Sequence, residues 1–246
     1  MNLRHSWIIA AKDLKAIRRR KTILYTIVIT PVALSLLFSY VVQYAVSSAA
    51  PGTSISDYAF LLDAFEFWFV IIAAILPSPI ASYSIVGEKA EKSLEPLLAT
   101  PVTDGEILLG KSLAAFIPTI IAAYAGAAIY MASVDQTLYS VVGHLYYPNG
   151  EMVVILLLLA PITCLLSIEL NVIVSSRVTD VRAASQLGSV IFAPFMGLYI
   201  AGELDVITLD TVSLLVISAI MAALAIALFF VSTRTFQREQ ILTKWK

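Results

Sequence analysis

Residues Arg18–Gln43 read RRRKTILYTIVITPVALSLLFSYVVQ, a cluster of cations followed by an uncharged and mostly apolar run. An α-helix needs about 20 such residues to cross the hydrocarbon core of a bilayer. Lysine and arginine residues that flank a span collect on the cytoplasmic side of the membrane. This stretch therefore predicts a membrane-spanning helix that begins at the cytoplasmic face.

The composition of the whole chain points to the same class of protein. Of 246 residues, 59% are hydrophobic and 13% are charged, and the mean hydropathy is +0.89. Soluble domains are about half apolar and about a quarter charged. A cytoplasmic globular enzyme, a secreted disulfide scaffold and a disordered chain are therefore excluded. Because Cys164 is the single cysteine, neither an internal disulfide nor a cysteine metal cluster is expected.

Five further apolar stretches also have the length of a span. The six predicted spans are Ile23–Gln43, Phe65–Val86, Ile107–Ala132, Met152–Val174, Leu187–Gly202 and Thr211–Ser232. We therefore predict an all-α, polytopic membrane fold. It divides into an N-terminal segment (1–22), a six-helix membrane domain (23–233) and a tail (234–246).

The cations are confined to alternate segments between these spans. All sixteen lysines and arginines lie before the first span, around the segment between the second and third, between the fourth and fifth, or after the last. The remaining three connecting segments carry acids instead. The positive-inside rule then predicts a cell-membrane protein with both termini in the cytoplasm.

Apolar residues recur with helical spacing in the N-terminal segment. They are Leu3, Trp7, Ala10, Leu14 and Ile17. Such a stripe, with cations around the rest of the helix, predicts an amphipathic interfacial helix whose apolar side lies in lipid at the inner membrane surface. The alternative is a solvated basic tail.

The cytoplasmic segment 87–106 is longer than a simple connection requires. It alternates charges and then presents Leu94, Leu97 and Leu98, while Pro96 and Pro101 restrict any helix to short pieces. Exposed apolar residues among charges are typical of a surface that binds a partner protein. A short interfacial helix that rests on lipid is an equally good interpretation of the composition.

The segment resembles the corresponding region of type-2 ABC transporter permeases. The resemblance is carried by Leu94–Pro101, which reads LEPLLATP, and by Glu106–Lys111, which reads EILLGK. The tail sequence Phe236–Leu242, FQREQIL, resembles that family more weakly. The arrangement of a surface helix, six spans and two cytoplasmic termini extends the resemblance over the whole chain.

This resemblance implies the transmembrane permease subunit of an ATP-binding cassette exporter. The segment 87–106 would then form a coupling helix that contacts a separate ATPase. Its contact residues would be Glu88, Glu91, Leu94, Glu95, Pro96, Leu97 and Leu98. The family also implies two ATP-binding subunits per complex and a second permease copy or paralogue. ATP and magnesium would bind the partner ATPase, with no cofactor in this chain.

Residues 105–112, GEILLGKS, satisfy the Walker A formula letter for letter. A phosphate-binding loop must follow a buried strand and open a soluble helix, so that its backbone N–H groups surround the phosphates. Here Pro101–Asp104 precede the motif and a predicted span follows it. We therefore assign the match to chance, and we expect Lys111 to extend its ammonium to the inner membrane boundary.

Glu169 is the only formal charge well inside a predicted span, and Asn171 lies close to it in sequence. A charge at the centre of a bilayer costs roughly 2.5–3.5 kcal/mol on insertion scales, so it usually faces a bundle interior, a watery path or a partner. Two roles stay open: a pathway or gating group, or a structural contact between spans. Residues two positions apart face different ways on a helix, so no compact ion site is expected.

Enzyme chemistry is not indicated by the remaining residues. His5 and His144 are predicted on opposite membrane faces, so they cannot share a metal ion. The N-terminal cations are explained by topology and membrane lipid, without nucleic acid. Two other functions fit the topology: an ATP-independent channel or secondary transporter, and a membrane assembly factor that transports nothing. The sequence does not identify a substrate.

Overall fold

The computed structural model describes residues 2–48, 54–87, 102–178, 181–190, 192–204 and 206–235. Throughout these ranges the regular secondary structure is helical. We number the α-helices α1 Leu3–Arg19, α2 Lys21–Ser47, α3 Ala59–Ile75, α4 Ser78–Ser82, α5 Asp104–Val142, α6 Gly150–Val154, α7 Ala160–Arg177, α8 Val181–Ser189, α9 Phe192–Glu203 and α10 Thr211–Thr235. Two π-helical turns, Tyr83–Gly87 and Ile155–Leu159, follow α4 and α6.

Six helical stretches in the described ranges are long and apolar enough to cross a membrane. They are Lys21–Ser47, Ala59–Ser82, Asp104–Val142, Gly150–Ser175, Arg182–Gly202 and Thr211–Thr233. Each overlaps one predicted span, so the all-α, six-span prediction is confirmed. The orientation of the termini stays a prediction.

Prolines explain why the second span is divided. Helix α3 ends at Ile75, and Pro77 and Pro79 flank the first residue of α4. Proline lacks a backbone N–H and clashes with the preceding turn, so a continuous hydrogen-bond ladder cannot pass through it. The π-helical turn that follows ends at Gly87, the first residue of the segment 87–106 that is predicted to couple to an ATPase.

Helix α5 is much longer than the predicted third span. It has 39 residues and continues to Val142, whereas the prediction ended at Ala132. At 1.5 Å per residue it extends about 58 Å, roughly twice the thickness of the hydrocarbon core. The extra turns form because Tyr130, Val134 and Leu138 repeat on one helix face and are all fully buried.

Helices α5 and α7 together make most of the contacts between helices. Helix α5 lies along α2 and α1 and contacts α7, while α7 packs against α3, α8 and α10. One core cluster joins α1 to the start of α5 through residues such as Ile9, Ile17, Ile107 and Leu108. The start of α5 therefore has contacts with both α1 and the membrane helices.

Part of the apolar stripe of α1 is buried against the protein, and part of it is exposed. Leu3 and Trp7 are exposed, but Ala10 and Ile17 are buried inside the protein. The prediction that the whole stripe faces lipid is therefore wrong. A Cβ on Gly110 of α5 would lie 2.7 Å from the carbonyl oxygen of Ser6, so the missing side chain lets the two backbones approach.

Candidate functional site

Lys111 lies in a buried cluster that joins three elements. Its ammonium donates to the Ser84 carbonyl at 2.6 Å and the Ser84 Oγ at 3.2 Å, and it contacts Asp13 Oδ2 at 3.4 Å. The Ser84 hydroxyl donates to the same Asp13 oxygen at 2.9 Å. We call Asp13, Ser84 and Lys111 the Lys111 cluster. It ties α1 and the turn after α4 to the first turns of α5.

The expectation that Lys111 extends to the membrane boundary is wrong. Its side chain is only 1% exposed, because Asp13 supplies an opposite charge inside the protein. A buried ammonium is tolerated when it is paired and its hydrogens are bonded. Sequence reasoning missed Asp13, although it is the sole acid within the basic segment 1–22. That isolation was the available signal.

A second contact ties α1 to the residues just before α5. Thr103 and Glu106 form a capping box, in which the Glu106 N–H donates to Thr103 Oγ1 at 3.4 Å and the Thr103 N–H to Glu106 Oε2 at 3.1 Å. The Asn2 backbone N–H donates to Glu106 Oε1, and His5 Nδ1 lies 3.4 Å from Oε2. Glu106 therefore closes the helix start and holds the N-terminus of α1.

These two contacts lie on either side of the predicted coupling residues. Ser84 precedes the segment 88–101 and Thr103 follows it, and both belong to networks that include α1 and α5. The predicted contact residues themselves lie outside the described residues: Glu88, Glu91, Leu94, Glu95, Pro96, Leu97 and Leu98. Among the described residues of 87–106, Glu106 uses its carboxylate in the contacts that join the N-terminus of α1 to the start of α5.

Glu169 faces the interior of the helix bundle, where it is 3% exposed. Ser112 of α5 donates its hydroxyl to Glu169 Oε1 at 3.0 Å, and Ser232 of α10 donates to Oε2 at 2.5 Å. One carboxylate on α7 thus accepts from two other helices. Ser112 is also the residue after Lys111, so the start of α5 connects the Lys111 cluster to α7 and α10.

Asn171 forms a separate polar junction on α7. Its Oδ1 accepts from the hydroxyls of Ser78 at 2.8 Å and Ser82 at 3.2 Å, both on α4. Its Nδ2 donates to the Ser167 carbonyl at 2.8 Å. A Cβ on Gly188 of α8 would lie 1.7 Å from Asn171 Oδ1, so a side chain there would force the Asn171 carboxamide to shift. Glu169 and Asn171 therefore bind different helices and do not share a site.

Residues 105–112 lie inside the continuous helix α5. Their backbone donors beyond the first turn point along the helix, whereas a phosphate loop must wrap its N–H groups around an anion. The residues that match the Walker A formula therefore form the beginning of a membrane-spanning helix. The ammonium that such a motif would aim at a nucleotide is bound instead by Asp13 and Ser84.

The loop after α5, predicted on the outer face, has its own ordered network. Asp135 Oδ1 accepts from the N–H groups of Tyr146 and Tyr147, each at 2.9 Å. The buried Tyr147 hydroxyl donates to the Tyr130 hydroxyl at 3.2 Å. Burial raises the pKa of the Tyr147 phenol above its ordinary value, and the nearby Glu66 carboxylate and Tyr130 phenol add to the rise. Deprotonating the Tyr147 phenol therefore costs more free energy in the folded protein than in the unfolded chain.

Among the described residues, no three His, Cys, Asp or Glu side chains come close enough to hold a metal ion. The polar groups that the structure brings together join helices: α1 to α5, α5 to α7 and α10, and α7 to α4.

Comparison with protein families gives one finding that covers most of the chain. A family model described as ABC-2 family transporter protein matches residues 7–212. The match includes α1 from Trp7 onward, the first five spans and the segment 87–106. Among curated proteins, none matches this chain.

Proposed function

This chain belongs to the ABC-2 family of transporter proteins, and from that premise we propose that it is the permease subunit of an ATP-driven exporter. The family and the six apolar helices make it a multi-pass membrane component of an ABC transporter, distinct from the ATPase. The sequence resemblance to type-2 permeases is thereby confirmed. The exporter mechanism, its partners and the coupling role of the segment 87–106 are what we propose beyond that.

The observation that supports coupling is that the described residues on either side of the range 88–101 are both held in place. The residues before it are held by the buried Lys111 cluster, and the residues after it by the Thr103–Glu106 capping box. Both attachments include α1 and α5. A force on this segment would therefore move the start of α5 and helix α1 together.

In the proposed mechanism, ATP binding draws two ATPase subunits together on the cytoplasmic face. Their movement passes through the segment 88–101 to the Lys111 cluster and the start of α5. The Ser112–Glu169–Ser232 contacts then carry it to α7 and α10. The membrane helices of two permease copies or paralogues would exchange inward and outward access in response.

The proposed partners and location follow from charge and family. The protein would lie in the cell membrane. Its cation-bearing segments would face the cytoplasm. ATP and magnesium would bind the separate ATPase, since residues 105–112 of this chain are helical. The residues that would contact that ATPase are the predicted ones: Glu88, Glu91, Leu94, Glu95, Pro96, Leu97 and Leu98.

The test is to co-purify the full chain from its native membranes and measure vanadate-sensitive ATP hydrolysis. Leu97→Asp places a charge at the proposed contact and is expected to abolish both the associated ATPase polypeptide and the hydrolysis. Leu145→Asp is the matched control, because Leu145 is 64% exposed in the loop predicted on the opposite face. That variant should retain both.

Equal ATPase recovery from the two variants would contradict the coupling role of the segment. Transport by the purified chain without nucleotide would contradict the exporter and favour a channel or secondary transporter. Labelling of residues 87–106 from outside the cell would overturn the proposed orientation.

A further inference from the structure

A groove with a volume of about 810 Å³ lies between the parts of α2 and α5 that are predicted on the outer side of the membrane. This volume is within the range of sites that enclose small molecules or headgroups. Its polar lining residues include Ser39, Gln43, Ser47, Gln136, Thr137 and Ser140. Leu36 lines the groove from within the predicted first span, whereas the α5 residues of the lining follow the predicted end of the third span at Ala132. The groove therefore extends from the depth of the acyl chains to that of the headgroups.

Ser39 contributes a buried hydroxyl that has no hydrogen-bond partner in the part of the chain that the structure describes. The residue is 8% exposed. Buried polar atoms in proteins are nearly always hydrogen-bonded, so each exception needs an explanation. Ser35, one turn earlier, shows the ordinary arrangement, because its hydroxyl donates to the Pro31 carbonyl at 2.7 Å. Since Ser39 lines the groove, an occupant of the groove can supply its missing bond.

Three other hydroxyls in the lining already use their single proton within their own helix. Ser47 of α2 donates to the Tyr44 carbonyl at 2.9 Å. On α5, Thr137 donates to the Ser133 carbonyl at 3.0 Å, and Ser140 donates to the Thr137 carbonyl at 3.0 Å. A hydroxyl has one proton and two lone pairs, so each of these groups can only accept from a ligand. An occupant that uses them must carry O–H or N–H donors.

The described residues that line the groove carry no formal charge. A phosphate bound there would lack a cation and an ammonium would lack a carboxylate, which makes burial of either costly. Asp135 lies nearby in sequence, but its Oδ1 accepts from the N–H groups of Tyr146 and Tyr147. Residues 48–53, which follow α2, contain no charged residue. The lining therefore suits an uncharged ligand with several hydroxyl groups.

The apolar part of the lining indicates that such a ligand is attached to a lipid. Leu36 and Tyr40 line the groove and are 54% and 64% exposed. Tyrosine favours the level of the headgroups, and leucine favours the hydrocarbon core. We propose that the groove binds the uncharged sugar headgroup of one glycolipid, which hydrogen-bonds to Ser39 and Thr137 while its acyl chains leave past Leu36. This site is built from this chain alone and does not depend on the ATPase.

The experiment measures lipid binding to the full chain by native mass spectrometry, in a polyoxyethylene detergent that carries no sugar. The probe is monoglucosyl diacylglycerol. The comparison ligands are diacylglycerol and phosphatidylethanolamine with the same acyl chains, and free glucose. Ser39→Ala removes the unpartnered hydroxyl, and Thr137→Val removes an acceptor at nearly constant shape. Ser48→Ala is the matched control, because this exposed serine at the end of α2 does not line the groove.

We expect one glucosyl lipid to bind, with preference over both comparison lipids. Each lost hydrogen bond should weaken binding about fivefold, so S39A/T137V should lose roughly 25-fold while S48A changes little. Without ligand, S39A should unfold at the parent's temperature or above it, because the variant removes a buried hydroxyl that had no partner. A merely structural role for Ser39 predicts a lower unfolding temperature instead.

Equal affinity of the parent, S39A/T137V and S48A for the glucosyl lipid would overturn the site. Equal binding of phosphatidylethanolamine would overturn the assignment to an uncharged headgroup, and equal affinity for free glucose would overturn the assignment to a lipid. A dimer of this chain that excludes the glucosyl lipid would show that a second copy covers the groove, and would also overturn the proposal. None of these outcomes bears on the proposed ATPase contact of the segment 87–106.

Discussion

The ammonium of Lys111 lies 3.4 Å from the carboxylate of Asp13, although the two residues are 98 positions apart in the chain. Both side chains are buried, and Ser84 hydrogen-bonds to each of them. This pair fixes α1 against the start of α5. Through this pair, the N-terminal helix is held directly against the membrane helices.

Removing one member of the pair should destabilise the protein strongly. Lys111→Met leaves the Asp13 carboxylate buried without its cation, and we expect a cost of about 3–5 kcal/mol. The double variant D13L/K111M should recover most of that loss, because no charge is left unpaired. The measurement is apparent thermal unfolding of the purified protein in detergent.

Lys15→Met is the control for this comparison, since Lys15 is an exposed cation on the same helix as Asp13. Its stability should stay within about 0.5 kcal/mol of the parent. If K111M were as stable as K15M, the pair would not hold α1 in place.

We expect Glu169 to act as an interhelical contact. Glu169→Leu leaves the Ser112 and Ser232 hydroxyls without their shared acceptor and should cost about 1–3 kcal/mol. Glu169→Gln keeps one acceptor oxygen and should stay near the parent stability. Thermal unfolding of both variants measures the difference.

Transport distinguishes this role from a pathway or gating role. If Glu169 is only a structural contact, the export rate per folded E169Q complex should equal that of the parent complex. Loss of export at full stability would place Glu169 in the pathway instead.

A side chain at position 188 should destabilise the protein. Gly188→Ala puts a Cβ where Asn171 Oδ1 stands, so the Asn171 junction with α4 must shift, at a cost of about 1–3 kcal/mol. Gly197→Ala is the matched control, because a Cβ there meets nothing within 4 Å. It should be neutral, or more stable by up to about 1 kcal/mol, since alanine favours helix.

Paired unfolding measurements on G188A and G197A test this expectation. Equal stabilities would mean that α8 and α7 do not approach as closely as the structure places them.

The loop that contains Tyr147 should lose stability in alkali. The folded protein holds this phenol neutral, because burial raises its pKa above the unfolded value near 10. The stabilising contribution is complete below that unfolded pKa and is lost as pH rises above it, by about 1.4 kcal/mol per pH unit. Tyr147→Phe should reduce this alkaline loss, and part of it should remain because burial also raises the pKa of Tyr146.

Unfolding measured between pH 9 and about pH 11 gives the comparison. Tyr139→Phe is the control, because Tyr139 is 57% exposed and its variant should keep the parent's pH dependence. Identical profiles for Y147F and the parent would contradict the role of the buried phenol.

The sequence by itself determined the class of fold and the family. Uncharged apolar runs of bilayer length must become helices in lipid, because every backbone N–H and C=O needs a partner within the segment. The six spans could therefore be counted from the positions and lengths of the apolar runs. The LEPLLATP motif also indicated the family from sequence alone, because its residues are consecutive in the chain.

Only the tertiary structure decided which polar residues meet. The sequence predicts Lys111 at the membrane boundary and Ala10 and Ile17 in lipid, and both predictions fail. Helical periodicity shows which residues share a face but not what covers that face. The partner of Lys111 is 98 residues away, and Glu169 needs Ser112 and Ser232 from two other helices. Such contacts depend on how helices pack, and the packing follows from side-chain shape across the whole bundle.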